Sequence, residues 1–142
     1  MKVDFERIET KHIDNFKGGE GVFSVKMFDD KTNKIMHGTL LPGNSIGLHE
    51  HTDGSEIIYI LSGSGKALFD ATEEKVSAGC VHYCPKGHVH SLINDGTEAL
   101  VFFAVVAKQW YKYLPFIIWL LYRKYTFCCF LIENIDTINK IY

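Results

Sequence analysis

The chain has 142 residues, 46% of them apolar and 23% charged, the size and balance of one ordinary folded domain, which excludes both wholesale disorder and a multi-spanning membrane protein. Fifteen Lys and Arg stand against seventeen Asp and Glu for a formal net charge of −2, and the first 109 residues alone hold 11 basic against 15 acidic side chains. That balance argues against nucleic acid, whose binding normally needs a basic face.

The N-terminus, Met1-Lys2-Val3-Asp4-Phe5-Glu6-Arg7, carries acidic residues and no apolar run, so it reads as no secretory leader and the expected location is cytoplasmic. There the four cysteines, Cys80, Cys84, Cys128 and Cys129, in no CxxC arrangement, would stay as thiols. Residues 1–21 read as an N-terminal arm. Its Val3, Phe5, Ile8, Ile13 and Phe16 can dock as an edge strand or a swapped arm before Gly18-Gly19-Glu20-Gly21 releases the chain.

From 22 to 106, short β-branched and aromatic runs are cut by Gly, Asn, Asp and Pro at intervals of roughly ten residues. Runs 22–28 and 35–41 flank the polar residues 29–33 and read as a hairpin. Segments 48–51, 56–62, 66–70, 81–84, 90–93 and 100–106 supply further strands, and about eight strands in so short a stretch predict an all-β sandwich or barrel over 22–109. Gly63-Ser64-Gly65 reads as a hairpin tip, because glycine reaches positive φ without steric cost. Cys84-Pro85-Lys86-Gly87 reads as a type I turn that launches the strand bearing His90.

Composition changes at residue 110. Residues 110–142 contain no Gly, Ala, Val or His, yet hold both tryptophans and ten of the nineteen aromatic residues. A membrane span fits poorly, since the apolar run 114–122 falls short of the roughly 20 residues needed and Arg123 and Lys124 would sit in mid-bilayer. Two other readings stand: a docked helix or partner-binding segment covering an apolar patch, or AT-rich DNA translated out of frame or past a stop.

Side chains repeat every two residues along a strand, so His49 and His51 point to one face while Glu50 points to the other. Thr52-Asp53-Gly54-Ser55 reads as a loop that sets His51 and Glu56 nearly opposite each other on adjacent antiparallel strands. Glu56, Ile58 and Ile60 share a face, which puts a carboxylate at the mouth of an apolar interior. Unpaired it would be costly there, and a cation removes the penalty. A further imidazole comes from His90, or from His88 with the same parity.

Gly43, His49, His51, Glu56 and Gly63 are separated by five, one, four and six residues; Gly79, Pro85, Gly87, His90 and Asn94 by five, one, two and three. These two segments, fifteen residues apart, resemble the paired motifs of the cupin family, and the resemblance covers about 22–106. It implies a double-stranded β-helix, a jelly-roll-like cupin barrel, here followed by an irregular or helical C-terminal tail. It also implies one divalent transition metal ion held by His49, His51, Glu56 and His90, with Asn94 and the glycines structural. Three nitrogens and one oxygen suit Fe, Mn, Ni, Co, Cu or Zn, and an octahedral ion would keep two positions for water or substrate. A structural zinc site more often closes with four Cys or His ligands.

Reactions vary widely within the family, from oxygenases and decarboxylases to isomerases and lyases, so resemblance leaves the chemistry open. The expectation is a metalloenzyme acting on a small oxygen-rich metabolite such as a carboxylic acid or sugar derivative; the alternative is a non-catalytic sensor or binding module. Either takes a small-molecule ligand, and unpaired sheet edges point to a homodimer. Tyr59 lies off the Glu56 face. Tyr83 reads as inward with Val81, which leaves His82 outward with Cys80 and Cys84 as a candidate for a second metal. His12 and His37 read as solvated, and Lys66 and Lys86 as exposed lysines able to attract an anion.

Overall fold

The computed structural model describes residues 1–109, and the expected tail over 110–142 lies outside the described residues. Ten strands follow one another: β1 (Lys11–Asp14), β2 (Val22–Asp29), β3 (Asn33–Leu40), β4 (Ser45–Glu50), β5 (Gly54–Ser62), β6 (Ser64–Phe69), β7 (Thr72–Ser77), β8 (Val81–Cys84), β9 (Val89–Ile93) and β10 (Leu100–Lys108). They form a six-stranded sheet in the order β1-β2-β3-β10-β5-β8 and a four-stranded sheet in the order β4-β9-β6-β7. Every pairing is antiparallel. This is the jelly-roll-like barrel expected from the sequence. Among the described residues no helix is long and apolar enough to cross a membrane.

Period-two alternation decides which side chains enter the core. Phe23 and Val25 on β2, Met36 and Leu40 on β3, Ile58 and Ile60 on β5, and Leu100, Phe102 and Ala104 on β10 are buried, each large one contributing about 1.5–3 kcal/mol. Phe23 and Phe102 stack with centroids 5.9 Å apart and planes 7° from parallel. Gly38, paired with Val25 and Phe102, makes that possible: a β-carbon there would fall 2.6 Å from the Phe102 ring and 2.9 Å from Phe23. The alternate residues of β5 and β8, Ile57, Tyr59, Leu61, Val81 and Tyr83, face outward.

The 22–28/35–41 hairpin forms as β2 and β3. The arm supplies an edge strand, β1, on β2, and its Ile13 and Phe16 pack against the core. Gly63 differs from expectation. Its φ of 80° fits glycine, but β5 pairs with β10 and β8 while β6 pairs with β7 and β9. The expected hairpin tip is therefore a corner where the chain leaves one sheet for the other. Strand β7 was not expected, because Val76 is its only buried residue; a polar strand at a sheet edge resists unwanted pairing. His37, expected in solvent, is half-buried with its ring 5.8 Å from that of Phe5. His12 is exposed and meets the Ser24 hydroxyl at 2.9 Å.

Candidate metal centre

The first donor depends on an irregularity in β4. Ile46 pairs with Leu92 and His49 with His90, so the register slips by one residue between them. In a regular strand Ile46 and His49 would point to opposite faces; the extra residue of a β-bulge brings both to the inside. Gly47 occupies the bulge, and a β-carbon on it would collide with the Lys17 carbonyl oxygen and lie 2.6 Å from the Gly19 nitrogen. The Gly47 carbonyl accepts a hydrogen bond from His49 Nδ1 at 2.9 Å. A carbonyl can only accept, so the proton sits on Nδ1 and Nε2 is left as a bare lone pair.

His51 follows β4 and is clipped to the 85–88 turn: its N–H donates to the His88 carbonyl at 3.2 Å, and its carbonyl accepts from Gly87 N–H at 2.7 Å. Glu56 comes from β5 in the opposite sheet, where it pairs with Cys84. The sequence reading placed His51 and Glu56 across one antiparallel ladder. They meet instead across the space between two sheets, because the 52–55 connection carries the chain from one sheet to the other. His90 arrives on β9 opposite His49.

Glu56 Oε2 lies 3.1 Å from His51 Nε2, 3.0 Å from His90 Nε2 and 3.9 Å from His49 Nε2, and the two nearer imidazole nitrogens are 3.0 Å apart. All four donor atoms fall within 4.8 Å of one another. Adjacent ligands held at about 2.1 Å from a common first-row ion are separated by about 3 Å, so the spacing fits a single ion. The chemistry fits too: His51, Glu56 and His90 are buried, and a cation can take the place of the ring protons that otherwise bridge His51 and His90 to the Glu56 carboxylate. His88 is excluded from this group. It is half exposed and pairs with Asp70 at 2.8 Å.

Burial would push the Glu56 carboxyl up, but hydrogen bonds from His51 and His90 outweigh it and hold it down to about 2. Burial lowers the pKa of His49, with the Gly47 carbonyl opposing. Both shifts favour the ligating forms, a neutral ring and an ionised carboxylate. Each folded-state value lies below its unfolded one, so each stabilises the fold above the unfolded pKa and loses that contribution as pH falls. The chelated protein is therefore expected to weaken on acidification in two stages, first below 6.5 and then between 4.5 and about 2. Protons should displace bound metal in the same direction. Urea unfolding at graded pH checks this, and a flat profile from pH 7 to pH 2 would contradict it.

A cavity of about 240 Å³ opens beside His49, His51 and Glu56, with Phe23, Met36 and Phe102 among its apolar walls and Lys17 and Lys34 on its lining. Sequence reasoning missed both lysines. It proposed Lys66, which pairs with Glu73 at 3.0 Å, and Lys86, which donates to the Gln109 carbonyl at 3.2 Å; neither lines the cavity. Tyr83 also differs from expectation. Ile58 pairs with His82 and Glu56 with Cys84, and cross-strand partners share a face, so His82 and Cys84 point inward and Tyr83 outward. Cys84 is a buried thiol, pushed up to about 11 by burial and then by the Glu56 charge. Cys80 is a free thiol at the surface; Cys128 and Cys129 lie outside the described residues. Asn94, fully buried, donates to the Leu40 and Glu98 carbonyls at 2.8 Å each and ties loops together away from the donor group.

Known proteins agree with this architecture. Residues 36–106 match the cupin domain family. An oxalate-binding protein from Thermotoga maritima is 33% identical over 112 residues, covering 75% of this chain and 93% of that protein. The crystal structure of a predicted oxalate decarboxylase from Thermotoga maritima superposes with a TM-score of 0.72 at 31% identity, over 77% of this chain and 100% of the other. A sugar phosphate isomerase from Silicibacter pomeroyi shares the fold, with a TM-score of 0.62 at 19% identity over 77% and 76% of the two chains. Two facing antiparallel sheets, a three-histidine and one-glutamate group between them, a family match over residues 36–106 that contains this group, and a relative 33% identical over 75% of the chain make this chain a member of the cupin domain family.

Proposed function

We propose that this protein is a divalent-metal cupin whose pocket takes a small carboxylate of the oxalate class, with His49, His51, Glu56 and His90 holding the ion. One observation carries the reading: the four donors converge beside a cavity that also presents two lysines. The oxalate-binding relative supports the choice of ligand. A bound divalent ion supplies Lewis-acid polarisation of a carboxylate or carbonyl oxygen.

The chain's own residues supply the rest. Lys17 and Lys34 offset the charge of an anion entering the cavity. Lys17 is set in place by its left-handed backbone, with φ at 59°, and by the contact of its carbonyl with Gly47. Phe23, Met36 and Phe102 keep bulk water from that end of the barrel, which strengthens each charged contact. Calorimetric titration of oxalate, acetate and a neutral sugar into manganese-loaded and chelated protein tests the reading. Oxalate is expected to bind the loaded form alone, and Lys34→Ala to weaken it about tenfold at unchanged metal content. Binding of the sugar with no uptake of oxalate would refute the ligand class. Carbon dioxide released from bound oxalate would mark an enzyme, and stable binding without turnover a binding module.

A further inference from the structure

His90 is held from behind. Its Nδ1 lies 3.0 Å from His82 Nε2, and His82 Nδ1 lies 3.1 Å from Glu74 Oε2. The two rings are nearly parallel, 15° apart with centroids at 5.2 Å. Both are almost wholly buried, at 2% for His82 and 1% for His90, whereas the Glu74 side chain is half exposed on β7, an edge strand. The line of contacts thus runs from the donor group through the interior to the surface, crossing from β9 to β8 to β7.

The direction of each hydrogen bond follows from the outer end. An ionised carboxylate can only accept, so His82 Nδ1 carries a proton and donates it to Glu74. A neutral His82 then has a bare Nε2, which accepts from His90 Nδ1–H. With an ion in the group His90 Nε2 is then free to ligate, and that is the atom 3.0 Å from Glu56 Oε2 and 3.0 Å from His51 Nε2; without one, Glu56, also an acceptor only, pulls the His90 proton toward Nε2 against the pull of Glu74 through His82. With the opposite choice at the surface, a donor in place of Glu74, every proton would shift by one place. His90 would then carry its proton on Nε2, where it blocks a metal.

We propose that Glu74 and His82 are a positioning pair that draws His90 toward the tautomer able to ligate, so that a carboxylate on the protein surface tunes the affinity of the buried donor group. This rests on the reading that these donors hold a metal ion. Neither residue belongs to the cupin signature positions, and neither touches the cavity.

Two measurements on the full-length protein test it. The first reads the His90 tautomer by ¹⁵N NMR of the chelated protein; the second reads cobalt affinity by competition with a chromophoric chelator. Wild type is expected to hold a larger share of His90 as Nδ1–H than Glu74→Lys, in which His90 shifts toward Nε2–H with cobalt affinity lower by about 10–100-fold. Glu74 is half exposed, so this change leaves core packing intact. His82→Leu, which removes the acceptor, should also weaken cobalt, while His82→Gln, whose amide oxygen can accept from His90, should recover most of the affinity. A merely space-filling His82 would give the opposite order or none. Cobalt bound by wild type and by Glu74→Lys with equal affinity and the same His90 tautomer overturns the pair alone. Wild-type protein that binds no cobalt overturns the metal reading, and the pair's role with it.

Discussion

Substituting alanine for His90 is expected to lower metal affinity by more than about 100-fold, beyond the loss usual for an outer hydrogen-bond partner, while His88→Ala leaves it within about twofold. The two histidines are two residues apart and share strand parity, yet the structure separates them completely. His90 is buried with Nε2 3.0 Å from Glu56, and His88 is half exposed with its ring turned to Asp70. Removing His90 deletes a donor and leaves the buried Glu56 carboxylate short of a partner, a costly state in itself. Removing His88 deletes one exposed pair of little energetic weight. Elemental analysis per folded chain after equilibration with limiting metal reads the difference directly. The reverse ranking would transfer the fourth donor to His88.

Gly47→Ala is expected to cost about 3 kcal/mol of stability, in the range of severe overpacking, and to deplete metal as well. The new methyl would meet backbone on both sides, the Lys17 carbonyl and the Gly19 nitrogen, and neither can rotate away. The bulge must shift, and the Gly47 carbonyl that orients His49 shifts with it. One substitution outside the candidate donor set thus reaches the arm, the cavity lysine and His49 together. Urea unfolding and metal stoichiometry on the same sample measure both effects. Unchanged stability would show that the arm does not press on the bulge.

The sequence made the donors legible because they lie in two short segments with fixed spacing, and the core strands because β2, β3 and β10 alternate cleanly. Register was not legible. In 81–84 the apolar-looking pair Val81 and Tyr83 suggests an inner face, yet β8 pairs with β5 so that His82 and Cys84 take it. No local pattern announces that pairing, and with His82 hidden the contact to Glu74 stays hidden too. The bulge at Gly47 is invisible for a related reason: the His49/His51 alternation reads the same with or without a slip two residues earlier. Lys17 was missed because a left-handed turn in the arm, rather than a strand, brings it to the cavity. Strand β7 lacks the apolar alternation that marks the others, and its outer edge has no partner strand among the described residues.

The donor strands β4, β5 and β9 belong to two sheets, and His51 and His90 stand 39 positions apart along the chain. An unfolded chain offers no such nest: the full donor set exists only once both sheets have closed on each other. Under the proposed metal reading, discrimination among competing ions then falls to the dimensions of that closed chamber rather than to the pull of a loose strand of ligands.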